Sequence, residues 1–123
     1  MNRRPLVFVS GPYRANTERG IVNNIREAEY AAIEVWKAGG AAICPHLNTA
    51  HFGGILADSV WLEGDLEILR RCDGMLLIGG WAHSAGAMGE YEYAKREGIP
   101  YASWANVLLQ SWIASLPDRW SGR

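Results

Sequence analysis

An α/β architecture with a parallel sheet between two helical layers follows from two features of this chain. Short, continuous apolar runs alternate along it with longer stretches of helical periodicity, and most of the runs end in glycine or proline. The first run, Leu6 to Ser10, is Leu-Val-Phe-Val-Ser closed by Gly11-Pro12, the pattern of a strand buried on both faces. From about Arg19 to Ala38, Ile21, Ile25, Ala28, Ala32 and Val35 recur at helical spacing while Arg26, Glu27, Glu34 and Lys37 fill other positions, and Gly39-Gly40 ends the helix. Ala41 to Cys44 reads as a second strand stopped by Pro45, followed by a glycine-containing loop from His46 to Ala57 that is long enough to cover a site.

A second helix is expected from about Ser59 to Cys72, with Leu62, Leu66 and Leu69 as its apolar seam, and a third strand from Gly74 to Ile78. After the loop Gly79 to His83 comes a helix carrying Glu90, then a short strand near Tyr101-Ala102-Ser103 and a terminal helical segment with Val107, Leu108, Trp112, Ile113 and Leu116. This order specifies a three-layer, flavodoxin-like or Rossmann-like sheet of four to five parallel strands with helices on both faces. At 123 residues the chain is expected to form a single domain over residues 1–123.

Composition removes several classes of function. A hydrophobic fraction of 49% and a charged fraction of 20% are ordinary for a globular protein, and a net charge of -1 gives no electrostatic basis for binding a nucleic-acid polymer or a membrane. No apolar run approaches the roughly 18 residues of a membrane span, and Met1 to Pro5 does not read as a signal peptide, so a cytoplasmic protein is expected. Cys44 and Cys72 adjoin apolar runs and form no Cys-x-x-Cys pair, which reads as two buried reduced thiols. Cys44, His46 and His51 match no standard zinc spacing, and neither a metal nor a cofactor is expected.

Two carboxylates stand out. A helical period puts Glu90 on one face with Gly86, Ala87, Tyr93 and Ala94, whereas Glu92 falls beside Lys95 and Arg96 on a solvated face. Asp65 repeats the anomaly among Trp61, Leu62, Leu69 and Cys72, with Glu63, Glu67, Arg70 and Arg71 on the opposite arc. A carboxylate on an apolar face is costly to desolvate unless it is paired or has chemistry to perform. Two of them on consecutive helices are able to form the pair that cleaves glycosidic bonds through oxocarbenium-like transition states; the alternative is that each neutralises a buried arginine or caps a loop.

Other candidates cluster at the carboxyl ends of the strands, where open α/β sheets bind ligands. Ser84 sits at an N-cap position and Gly86 follows it, a corner able to hold a phosphate or a sugar 5′-hydroxyl, or else an ordinary serine cap. Arg14, after the first strand, offers a second anion contact unless it is simply solvated. Tyr13 directly follows Gly11-Pro12, where its ring stacks on a base or its hydroxyl bonds a carboxylate; His46 and Trp81 are candidates of the same kind, with packing as the alternative. His83-Ser84 lacks a Gly-x-Ser-x-Gly elbow, and neither a Gly-x-Gly-x-x-Gly fingerprint nor a Walker lysine motif is present.

Taken together, Val9-Ser10-Gly11-Pro12-Tyr13, Asp65-Leu66 with Cys72-Asp73-Gly74, and Ser84-x-Gly86-x-x-x-Glu90 with Ala94 bring a family into view. In these motifs the chain resembles the nucleoside 2-deoxyribosyltransferase-like superfamily, which includes the deoxynucleoside 5′-monophosphate N-glycosidases, and in particular its short DUF4406-type members. The resemblance covers most of residues 6 to 102. It implies that Glu90 is the nucleophile attacking the anomeric carbon, that Asp65 positions the sugar and assists proton handling, and that Tyr13 orients nucleophile or sugar. It also implies that Ser84 contacts the 5′ group; the substrate-binding candidates beside it are Ser10, Gly11, Pro12, Arg14, His46, Trp81 and Gly86. The implied partner is a small-molecule nucleoside or nucleotide, cleaved by a hydrolase or passed to a second base by a transferase.

Members of the superfamily usually carry a fifth strand, for which this tail has little room. They also complete their sites with a neighbouring subunit, which implies a homodimer or higher homo-oligomer; Trp104, Trp112 and Trp120 then bury against a partner or against their own domain. The competing class is a non-catalytic nucleotide-binding or sensor protein on the same fold. Cleavage of a nicotinamide glycosidic bond is a third reading.

Overall fold

The computed structural model describes residues 3–120. Four strands, β1 (Leu6–Ser10), β2 (Ala41–Ile43), β3 (Gly74–Leu77) and β4 (Tyr101–Ser103), form one sheet in the order β2-β1-β3-β4, and every neighbouring pair is parallel. Five helices accompany them: α1 (Glu18–Lys37), α2 (Pro45–Asn48), α3 (Asp58–Arg70), α4 (Ala85–Glu97) and α5 (Leu109–Ser115). After β4 the described residues form α5 and no further strand, so among them the sheet has four strands.

The period-2 alternation of strand side chains builds the layers. Val7 and Val9 of β1 pack on one face with Ala28, Ala31 and Val35 of α1 and Ile113 of α5. Phe8, between them, faces the other way into a second cluster with Leu69 of α3, Met75, Leu77 and Ala94 of α4. Val7, Phe8 and Val9 are wholly inaccessible to solvent, which is why the run is continuously apolar instead of alternating. α1 begins where the Thr17 hydroxyl accepts from Gly20 N at 3.0 Å and ends at Lys37, and Gly39 just beyond it turns the chain with a φ of 104° that favours glycine.

Three details depart from the sequence expectation. Pro45–Asn48 forms a single helical turn where an open loop was expected, because Pro45 occupies its first position with a preset φ. Leu62, assigned to the apolar seam of α3, is 49% exposed; the buried side of that helix runs through Leu66 and Leu69. Ile21 and Ile25 are only half-buried, so the core face of α1 begins at Ala28. The tail tryptophans Trp104 and Trp112 pack on their own domain against the α1 side of the core, and Trp120 donates its indole N–H to the Arg71 carbonyl at 3.2 Å.

Asp73 fastens the start of β1 from the amino ends of the strands. Its Oδ2 accepts from Leu6 N at 2.7 Å and from Arg3 Nη1 at 3.3 Å, with only 7% of the residue exposed. Asp73→Ala leaves the part-buried Leu6 N–H without its acceptor and is expected to destabilise the fold by about 1–2 kcal/mol in urea titration; a loss below about 0.5 kcal/mol contradicts this anchoring. No helix of the described residues is long and apolar enough to cross a membrane.

Candidate active site

The strand order places the topological switch point between β1 and β3, with β2 added on one side and β4 on the other, and an open parallel sheet opens a crevice at the carboxyl ends of those two strands. Ser10, the last residue of β1, is fully buried there, and its Oγ donates to Glu90 Oε1 at 2.6 Å. Glu90 belongs to α4, whose other buried residues are Ala87 and Ala94, three before and four after it, while Glu92 is exposed as the helical period requires. Only 8% of Glu90 is exposed. Among the described residues neither Glu90 nor Asp65 forms a salt bridge, which removes the reading in which each neutralises a buried arginine.

Burial dominates the electrostatics of both carboxylates. Burial pushes Glu90 up to about 7; the Ser10 hydrogen bond opposes this shift and the charge of Asp65 adds to it. Burial alone raises Asp65 to about 6 from its half-buried place on α3, the helix packed against α4. Cys44, just after β2, feels the same charges: burial raises its thiol, the N–H groups of Leu47 and His46 oppose this, and the charges of Glu90 and Asp65 reinforce it. Both cysteines are free and buried, as their apolar neighbours predict.

The loop after β1 is fixed from two sides. His46 Nε2 lies 2.7 Å from the Pro12 carbonyl and donates to it, and Asn24 Nδ2 of α1 donates to the Tyr13 carbonyl at 3.1 Å. Burial lowers the His46 pKa, against the pull of the Pro12 and Gly11 carbonyls, so its ring is neutral near pH 7. The Tyr13 ring meets His46 edge-on, with centroids 5.2 Å apart. Gly11 is required by packing, since a Cβ there would lie 2.3 Å from Ile78 Cγ1. Gly80, with φ of 81°, brings the next loop against Pro12.

The remaining candidates are placed less centrally. Ser84 caps α4, its Oγ accepting from Ala87 N at 3.2 Å, and the nearest atom to a Cβ added at Gly86 is that Oγ at 4.0 Å, leaving the first turn of the helix uncrowded. Arg14 is exposed and ion-paired with Asp58 at the start of α3, so an anion has to compete with that carboxylate. Trp81 packs on Tyr91 at 4.8 Å and joins the Phe8 side of the core. Two open grooves, of about 550 Å³ at the amino ends of β1 and β2 and about 370 Å³ beside Tyr30 and Trp104, are lined by neither Glu90 nor Asp65. No three His, Cys, Asp or Glu side chains come together as a metal-binding group among the described residues.

Residues 5–104, most of the chain, match the family model described as Domain of unknown function (DUF7768). The chain belongs to this family. No curated protein matches this DUF7768 member. Its fold is similar to that of the 2-deoxyribosyltransferase from the psychrotolerant bacterium Bacillus psychrosaccharolyticus, at 16% identity over 80% of this chain and 70% of that one, with a TM-score of 0.58. That enzyme is described as a biocatalyst for nucleoside synthesis. At this identity the likeness carries the α/β fold of the DUF7768 domain and leaves its chemistry to the site.

Proposed function

We propose that this chain is a single-domain enzyme of the nucleoside 2-deoxyribosyltransferase-like superfamily, akin to its DUF4406-type members and monophosphate N-glycosidases, that cleaves the N-glycosidic bond of a (deoxy)nucleoside or its 5′-monophosphate. The observation that carries this reading is the Ser10-held Glu90 carboxylate, buried and unpaired by any cation among the described residues, within electrostatic reach of Asp65. The Glu90 carboxylate attacks C1′ as the C1′–N bond breaks, and the bonding pair leaves with the base nitrogen, which takes a proton from water while the Asp65 carboxylate positions the sugar. Water then attacks C1′, gives its proton to Asp65 and releases Glu90; a second base in place of water makes the reaction a transfer. Ser10 orients the nucleophile, Tyr13 borders the sugar, and Ser84 with the α4 N-terminus receives the 5′ group.

The test is a panel of deoxynucleosides, ribonucleosides, their 5′-monophosphates and NAD, each incubated with and without a second free base and resolved by chromatography. Release of free base, together with a protein mass increased by one glycosyl group in quenched samples, is expected for at least one substrate. Binding without any base release across the panel overturns the enzymatic reading in favour of a nucleotide sensor.

A further inference from the structure

The solvent side of α1 is apolar where a surface helix is ordinarily polar. Val22, Ile33 and Trp36 are between 41% and 49% exposed, although the opposite side of the helix, with Ala28, Ala31, Ala32 and Val35, is already buried in the core. At about 100° per residue, Val22, Arg26, Glu29, Ile33 and Trp36 fall within about 80° of arc. Their spacing of four, three, four and three residues is that of a coiled-coil seam. Arg26 and Glu29, in the middle of this seam, are exposed, and neither is in a salt bridge among the described residues. The open groove of about 370 Å³ lined by Arg26, Glu27, Tyr30 and Trp104 adjoins one flank of the seam.

We propose that α1 pairs antiparallel with α1 of a second copy of this chain, across a two-fold axis level with the Glu27–Ala28 peptide. The argument for a second copy is that the seam is complementary to itself. In this register Val22 lies opposite Ile33 of the other copy on both sides of the axis, and Arg26 meets Glu29 of the other copy at the centre. Trp36 closes each end over the first turn of the opposite helix. Charge selects this arrangement over its competitors. A parallel pairing sets Arg26 against Arg26 and Glu29 against Glu29, and a slip of one turn sets Arg26 against Ile33 or Glu29 against Val22. The pairing covers an exposed apolar strip and gives both central charges a partner. It is independent of the glycosidic reading above.

Sedimentation velocity of the full chain, from about 1 to about 200 µM, is the test. The wild type is expected to form a particle of twice the 13.6 kDa chain mass at the upper end of this range. Arg26→Glu gathers four carboxylates at the axis and Glu29→Arg four guanidinium groups, and each is expected to weaken the dimer by about ten-fold or more. The double reversal Arg26→Glu/Glu29→Arg restores opposite charges and is expected to return the dissociation constant to within about three-fold of the wild type. Ile33→Asp is expected to leave a monomer throughout. All four positions changed or spared in these variants are exposed, so the circular dichroism spectra stay those of the wild type. A wild type that is monomeric across the range overturns the proposal. So does a dimer indifferent to Arg26→Glu and Ile33→Asp, which forms through another face, and so does a double reversal no tighter than the single ones.

Discussion

Glu90→Gln is expected to lower base release by about a thousand-fold or more while leaving the fold intact. Glutamine has nearly the same shape and keeps an oxygen to accept from Ser10, so the 2.6 Å hydrogen bond survives; what disappears is the anionic nucleophile. Without it no glycosyl ester forms, and the mass increase expected of the quenched wild-type protein vanishes too. The acid limb of the wild-type rate profile carries the same information. With Glu90 held at about 7, its carboxylate accumulates only as pH rises through that value, so kcat/KM falls below it. Residual turnover in Glu90→Gln within ten-fold of the wild type places the nucleophile elsewhere.

The same substitution is expected to stabilise the free protein, and the sign depends on pH. Burial raises the folded-state pKa of Glu90 from 4.5 to about 7, so the fold favours the protonated acid. That contribution is complete below the unfolded value and is lost as pH rises through about 7. Glutamine imitates the protonated form at every pH. Glu90→Gln therefore gains about 3 kcal/mol over the wild type at pH 8, roughly 10 °C in melting temperature, and the gain shrinks to nothing near pH 4. A gain independent of pH, or a loss at pH 8, contradicts the buried and unpaired state of this carboxylate. Lost turnover with gained stability is the expected signature of a group retained for chemistry at the expense of the fold.

How far the sequence alone leads can be judged from individual residues. The sheet was readable because a strand buried on both faces must be continuously apolar, as Val7, Phe8 and Val9 are, and because α1 and α4 display helical periods over many residues. Glu90 was readable for the same reason: helical spacing fixes which face a side chain shares, and Ala87 and Ala94 are indeed its buried neighbours. Spacing says nothing about partners distant in sequence. The Arg14–Asp58 ion pair, the His46–Pro12 hydrogen bond and the Trp81–Tyr91 contact depend on the paths of loops. Asp73 stands inside a motif quoted for the resemblance, yet it lies at the amino ends of the strands and anchors Leu6 and Arg3. Leu62 misled because a helix half-covered by its neighbour leaves some seam positions in solvent.

The sharing of one cleft by Glu90 and Asp65 is most directly tested by carbon-13 NMR titration of the Glu90 side-chain carboxyl in the wild-type protein and in Asp65→Asn. A midpoint near 7 that falls when the Asp65 charge is removed is the expected result. A midpoint near 4.5 in the wild type, or a raised midpoint indifferent to Asp65, contradicts it.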